Sequence, residues 1–591
     1  MTLGGFTFVL HTHMPFYRGA GKWPHGEENL HEVMAETYVP LLAALTDLHE
    51  AGVQARVTIG ITPVLAEQLA DEMIKAHFEE YVNQEIEGAT ADIARFEAAK
   101  DPHFLYLAHF YLDWYRNILH TFQERFQRDL ISGFRRLQDA GVVEILTSAA
   151  THPYLPLMQR DSTLHAQLAI GKRATERHFG KAPRAIWLPE CAYRPAYYAK
   201  ASDGTPYERP GLEAFLEAQR LGLFFSESDA VEGSRVIGQA RRETREVVRS
   251  TPHRQEVLDI YGQVESVIEE MGYESAGFVT EKHVVPFEGE SRATGADGGT
   301  FEPYLVRDSE VSVMGRNRVV GEQVWAAAVG YPGDANYREF HKKDALHGFQ
   351  YWRVTDAKID IAYKQTYEPY HAGQRVEEHA RHFVGLVERQ LRDFSATHGS
   401  EGLIASAYDT ELFGHWWFEG VDWLKRVLTL LAEHKEIELT TASDWLEAHV
   451  PDKVIDLPES SWGHAGTHIT WINPETTWMW SAVYAAERRM EGLVDYYPSA
   501  EGGALEALNQ AARELVLLEA SDWEFLYTTG QARQYSTDRF AEHVSRFNNL
   551  AGALESGAED DSLLQLAREY NERDNLFPDI DYKLFAFRQP N

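Results

Sequence analysis

The sequence of 591 residues predicts an α/β fold, a β/α barrel followed by a helical region. Three observations lead there. Short apolar, β-branched runs alternate with longer helical patterns, the rhythm of parallel β/α architecture. Several of those runs end directly on polar and aromatic clusters, and barrel enzymes place their chemistry at the carboxyl ends of strands. From about Ser481 onward, apolar residues recur at spacings of three and four, as packed helices require.

In chain order the runs are Phe6 to Leu10, Arg56 to Ile61, Val142 to Thr147, Ala185 to Pro189, Leu223 to Ser226, Leu403 to Tyr408 and Ile437 to Thr440. From about Ala76 to Leu130, between the second and third runs, the pattern reads as a helical excursion. Between Ser228 and about Arg307 the rhythm fails, and GESRATGADGGTFEP is rich in glycine and polar residues, which predicts an insertion with a mobile loop. In ALEALNQAARELVLLEASDWEFLYTTGQ, Leu505, Leu508, Ala512, Leu515 and Leu518 mark one helical face. The expected division is a barrel over 1–227 with its excursion near 76–130, an inserted region over 228–307, the rest of the barrel over 308–450 and a helical domain over 451–591.

Composition narrows the partners. Lys plus Arg total 56 against 91 Asp plus Glu, a formal net charge of -35 that repels nucleic acid phosphates and anionic membrane surfaces. No stretch approaches the roughly 18 apolar residues of a membrane helix. The single cysteine, Cys191, forms no intrachain disulfide, and the opening MTLGGFTFVL lacks the basic segment of a secretory signal, so a cytoplasmic protein is expected. Beside Glu190, Cys191 reads as a small packed residue. The 14 Trp and 28 Tyr suit flat, neutral ligands such as sugar rings, although most aromatics serve the core.

Two segments carry the strongest chemical signal. In WLPECAYRP, Trp187 to Pro195, a buried-looking strand ends on Glu190 with Arg194 nearby. A carboxylate beside a cation stays ionised and can attack, while the plainer reading is a structural Glu190–Arg194 ion pair. In AYDTELFGHWWFEG, Asp409 ends an apolar run before Glu411, His415, Trp416 and Trp417. Aromatic surroundings raise a carboxyl's pKa and suit it to donate a proton, while the plainer reading makes Asp409 a helix N-cap. Two carboxyls on separate strand ends suit glycosidic chemistry, one as nucleophile and one as acid and then base.

His11 and His13 in VLHTHMPF follow the first run and project from one face, which fits hydroxyl recognition, satisfied histidines at a strand end, or a metal pair. The metal reading gives a different class, a metal-dependent amide or ester hydrolase with His152, His415 and Asp409 as further ligands. Phosphate-loop, HExxH and nucleophile-elbow motifs are absent from the sequence.

Taken together these segments resemble glycoside hydrolase family 57. HTHMP resembles its first signature region, GVVEIL its second, WLPECAYRP its third, AYDTELFGHWW its fourth and LLEASDWEFLYTTGQ its fifth, and the similarity runs from Phe6 to the RDNLFPDIDYKLFAFR ending. The resemblance implies a (β/α)7 barrel, a small inserted domain, a helical C-terminal domain closing over the cleft, and no metal or organic cofactor. The match is close to the family's α-1,4-glucan branching enzymes, with α-amylase and 4-α-glucanotransferase as the alternatives of the same family. It implies Glu190 as nucleophile, Asp409 as proton donor and base, and an α-1,4-glucan as donor and acceptor. It also implies glucan contacts at Arg316, Gly333, Trp462, Asp522 and Gln531, and the same role is expected of His11, His13, Trp325 and Trp417. Trp462 could instead plug a domain interface, and Arg316 could pair with a carboxylate. Family branching enzymes carry a loop tyrosine over the site. Here the corresponding region is longer, and Tyr261, Tyr273 and Tyr304 are the candidates on a lid expected to exclude water.

Overall fold

The first apolar run becomes strand β1, Gly4–Thr12, buried along its whole length. A strand covered on both faces reads as a continuous apolar run. In this computed structural model, residues 2–22, 25–200, 205–258, 264–286, 296, 298–326 and 329–587 are described, with backbone alone over 242–286. Further strands follow as β2 (Val57–Ile61), β3 (Val143–Leu146), β4 (Ala185–Ile186), β5 (Leu223–Ser226), β6 (Ser312–Gly315) and β7 (Gly402–Asp409). Parallel ladders join β1 to β2 and β7, β2 to β3, β4 to β5, and β5 to β6. Single parallel bridges, Thr147 to Ile186 and Arg316 to Ala405, close the two remaining gaps. Among the described residues, seven parallel strands in chain order thus form a closed (β/α)7 barrel.

One expected barrel strand lies elsewhere. Ile437–Leu439 pairs with Gly4–Phe6, on the edge of β1 whose upper part is taken by β2. The missing barrel strand is β6, and its sequence SVMG is too short and too small to stand out beside the polar residues around it.

Where the sequence looked irregular, Arg235–Leu258 and Val264–Pro286 pair as an antiparallel hairpin. Lys453–Asp456 bridges that hairpin to Tyr304–Val306, which in turn pairs with β6. Tyr304 is fully buried there, so it cannot serve as a lid tyrosine. Tyr261, the Tyr273 side chain and most of the 288–300 loop lie outside the described residues.

Between β2 and β3 run the helices Glu72–Ala99 and Pro102–His120. Asp71 caps the first by accepting from the backbone of Met73 and Ile74, and Asp101 caps the second through Phe104, which satisfies amides with no partner inside the helix. The helical region comprises Thr477–Tyr496, Gly502–Leu518, Asp522–Thr529, Arg533–Glu555 and Asp560–Asn571. Its core continues into Phe16, Val64, Ala150 and Tyr154 of the barrel, so the two parts share one apolar interior. A backbone bond from Ser521 N to His152 O at 3.0 Å sets the start of the Asp522–Thr529 helix over the barrel mouth. No described helix is long and apolar enough to cross a membrane.

Candidate active site

Glu190 stands just beyond β4 in a left-handed backbone conformation, φ 58° and ψ 24°. A non-glycine residue held there stores strain, a frequent mark of functional positions. Its carbonyl accepts from the Trp462 amide at 2.9 Å, which ties this turn to the SSWG segment. Arg194 does not neutralise it. The Arg194 guanidinium lies over the Tyr197 ring at 4.7 Å, so the structural ion pair considered from sequence is not formed. The nearest partners of Glu190 Oε1 are instead Ser521 Oγ at 3.4 Å and His152 Nδ1 at 3.9 Å.

Asp409 ends β7 across the mouth. Its side chain makes no capping bond to the short helical turn Thr410–Leu412, which removes the N-cap reading. Both carboxyls line one cleft of about 610 Å³ together with Arg316, Trp325, Trp462 and Phe525. Burial, then the negative charges of Asp409 and Asp522, push the Glu190 carboxyl up to about 8. Burial also raises Asp409, to about 6, against the opposing effect of Arg316 and His13. Of the two carboxyls, Glu190 is thus raised further than Asp409.

The histidines form a stack behind these groups. The His13 and His152 rings lie 3.9 Å apart and nearly parallel, and His11 packs on His152 and Trp187 at 5.0 and 5.1 Å. His11 Nε2 meets His152 Nε2 at 3.0 Å. Burial holds both of those rings well below the ordinary histidine range, so both are neutral. His13 joins the two parts of the chain, with Nδ1 on Thr62 Oγ1 at 3.0 Å and Nε2 on Asp522 Oδ1 at 3.1 Å. His415 bonds Glu36 at 2.7 Å instead of joining this group, so the ligand set of the metallohydrolase alternative is not assembled.

The remaining sequence candidates divide. Arg316 reaches the cleft, pairs with Glu227 at 2.9 Å and lies over the half-buried Trp462 ring at 5.3 Å. Trp325 lines the cleft with 46 % of its surface exposed and meets Trp416 edge-on at 5.8 Å. Trp417 faces the other way. It is 1 % exposed and packs among Tyr337, Phe413 and Trp423, so its expected glucan contact is corrected to a core role, with the exposed face belonging to its neighbour Trp416. Gly333 lines a separate depression with Asp334 and Arg375, away from the carboxyl pair. Gln531 follows the left-handed cap Gly530, is exposed, and does not line the cleft.

Sequence reasoning gave no role to Ser521, Glu227 or Glu411. Glu411 is buried, accepts from Tyr38 OH at 2.5 Å and from the His13 amide at 3.2 Å, and so fixes the first and last strand ends to each other. Glu227 follows β5 directly, a strand-end position that could have flagged it.

Residues 7–458 match the model described as glycosyl hydrolase family 57. The chain belongs to that family. Residues 482–585 match the model for the C-terminal region of 1,4-alpha-glucan branching enzymes. The family 57 chain is 42 % identical over 97 % of its length to the 1,4-alpha-glucan branching enzyme TK1436 of Thermococcus kodakarensis, spanning 77 % of that protein. The crystal structure of TK1436 in complex with glucose and additives has a TM-score of 0.83 and covers 100 % of this chain and 97 % of that one. The GH57-type branching enzyme of Pyrococcus horikoshii has the same TM-score at 41 % identity, with 100 % and 98 % covered. The alpha-amylase AmyC of Thermotoga maritima is 29 % identical with a TM-score of 0.79 and full coverage of both chains.

Proposed function

We propose that this chain is a 1,4-α-glucan branching enzyme working with retention of configuration. The observation that carries the reading is the pair Glu190 and Asp409, at the carboxyl ends of β4 and β7 in one aromatic-flanked cleft roofed by a helical region that matches the branching-enzyme C-terminal model. As a carboxylate, Glu190 attacks the anomeric carbon of a donor glucosyl unit while Asp409 gives its proton to the departing 4-oxygen, leaving a covalent glycosyl-enzyme. The ionised Asp409 then takes the proton of an acceptor 6-hydroxyl. That oxygen closes the α-1,6 bond and Glu190 is released.

The productive form needs Glu190 ionised and Asp409 protonated, whereas burial and the neighbouring carboxylates raise Glu190 further than Asp409. Groups that favour the Glu190 carboxylate therefore serve the rate, and Ser521 is placed to donate to it. Trp462 and Trp325 offer faces for glucosyl rings, and Asp522, which His13 holds in place with both of its own ring nitrogens engaged, keeps acceptor capacity for a hydroxyl. The reading includes a cytoplasmic setting, consistent with a lone, buried Cys191.

The similarity to AmyC supports hydrolysis as the second reading, since water in place of the acceptor hydroxyl gives amylase chemistry. Incubation with amylose, followed by counting α-1,6 linkages and new reducing ends, separates the two. Branching requires α-1,6 linkages to exceed new reducing ends. Reducing ends without α-1,6 linkages would overturn the proposal in favour of hydrolysis.

A further inference from the structure

A second opening lies on the flank of the barrel, a cavity of about 300 Å³ that does not include the catalytic pair. One wall is the helix Pro102–His120, where Phe110, Trp114 and Asn117 recur at helical spacing and so share a face. The opposite wall is the helix Val39–Glu50, which presents Ala43 and Asp47, and the helix Gly420–Ala432 contributes Asp422 and Lys425. Phe418, eight residues before Arg426 and nine after Asp409, closes the end.

The aromatic side chains here are only partly buried. Phe110, Trp114 and Phe418 pack on the rim of the main core and leave surface toward the cavity. Trp114 lies 5.5 Å from Phe418 and Phe110 lies 6.1 Å from it, so the three rings form one continuous apolar patch. The Arg338 guanidinium lies over the Phe418 ring at 4.0 Å.

Most charges around the patch are paired, while Asp422 makes no hydrogen bond or ion pair among the described residues. Asp47 bonds Lys425 at 2.7 Å and Arg125 at 2.7 Å, and Glu36 bonds Arg338 at 2.7 Å and His415 at 2.7 Å. What remains is a set of flat apolar faces beside paired charges and the free acceptor Asp422, which suits a neutral ligand with apolar ring faces and hydroxyls to donate.

We propose that this cavity is a second α-glucan-binding site that anchors a distant stretch of the polymer. The choice of ligand rests on the branching reading, because a polymeric substrate supplies many more rings than one cleft engages. The His415–Trp416 segment connects the two openings, with His415 on Glu36 at the cavity and Trp416 on Trp325 at the cleft. A chain held at the flank raises the effective concentration of polymer at the cleft without taking part in the chemistry.

The test compares wild type, W114A and N117A by affinity electrophoresis in gels containing glycogen, and by kinetics on amylose and on a short maltooligosaccharide. Matching melting temperatures establish that the variants fold. W114A is expected to weaken glycogen retardation and raise KM for amylose roughly three- to tenfold, the scale of one lost aromatic contact. N117A should shift both in the same direction, and turnover of the short substrate should stay unchanged in each variant. Retardation and amylose KM equal to wild type in both variants would overturn the second site. A wild type that glycogen retards and W114A releases, but that makes no α-1,6 linkage, would support the site while overturning the branching reading.

Discussion

Ser521 Oγ, carried by the helical region, lies 3.4 Å from Glu190 Oε1 at the end of β4, and the same hydroxyl meets His152 Nδ1 at 3.1 Å. A hydroxyl donated to a carboxylate favours its charged form, the form that attacks. S521A is expected to lower kcat about tenfold, the effect of one hydrogen bond worth about 1 to 1.5 kcal/mol, with KM for amylose nearly unchanged. Steady-state kinetics reads both parameters, and an unchanged kcat would remove Ser521 from the account of Glu190.

In the proposed mechanism the two carboxyls also set the pH dependence. Below about 6 both hold protons and no nucleophile is present, and above about 8 neither does and no acid remains. A bell-shaped profile of kcat/KM with limbs near these values is expected. The charge of Asp522 helps raise Glu190, so D522N should move the alkaline limb toward lower pH. An alkaline limb that stays in place or moves upward in D522N would show that Asp522 acts on Glu190 in some other way.

Adjacent tryptophans should behave differently. Trp417 is 1 % exposed in the core, so W417A opens a cavity and should cost about 3 to 5 kcal/mol of stability, read by thermal or denaturant unfolding. Trp416, 39 % exposed beside Trp325, should leave stability intact when replaced by alanine and raise KM instead. The reverse pattern would restore Trp417 as the glucan contact.

The contrast between these neighbours shows what a sequence carries. The apolar runs that became β1 to β5 and β7 were legible because each is a continuous buried stretch. Ser312–Gly315 was not, since four small or polar-flanked residues gain their strand identity only from β5 and Tyr304–Val306 on either side of them. Ile437–Leu439 reads as a strand and is one, but its place beside Gly4–Phe6 depends on pairing that periodicity does not encode. Glu190 and Asp409 stood out locally as strand-end carboxyls. Ser521 did not, because its partners Glu190 and His152 lie more than three hundred residues away and only the fold brings them together. HWWFEG did not tell which indole faces out, since that choice follows from the aromatic cluster of Tyr337, Phe413 and Trp423 closing around Trp417.

The chemistry proposed for the pair is tested most directly by trapping. An α-glucosyl or α-maltosyl fluoride needs no proton to release its leaving group, so D409A should still form the glycosyl-enzyme while losing the base that resolves it. Mass spectrometry of the digested D409A protein after incubation with the fluoride is expected to find the glycosyl adduct on the peptide containing Glu190, and E190Q to show none. An adduct on a different residue, or wild-type turnover of amylose by D409A with no adduct at all, would contradict the assignment of Glu190 as nucleophile and Asp409 as acid and base.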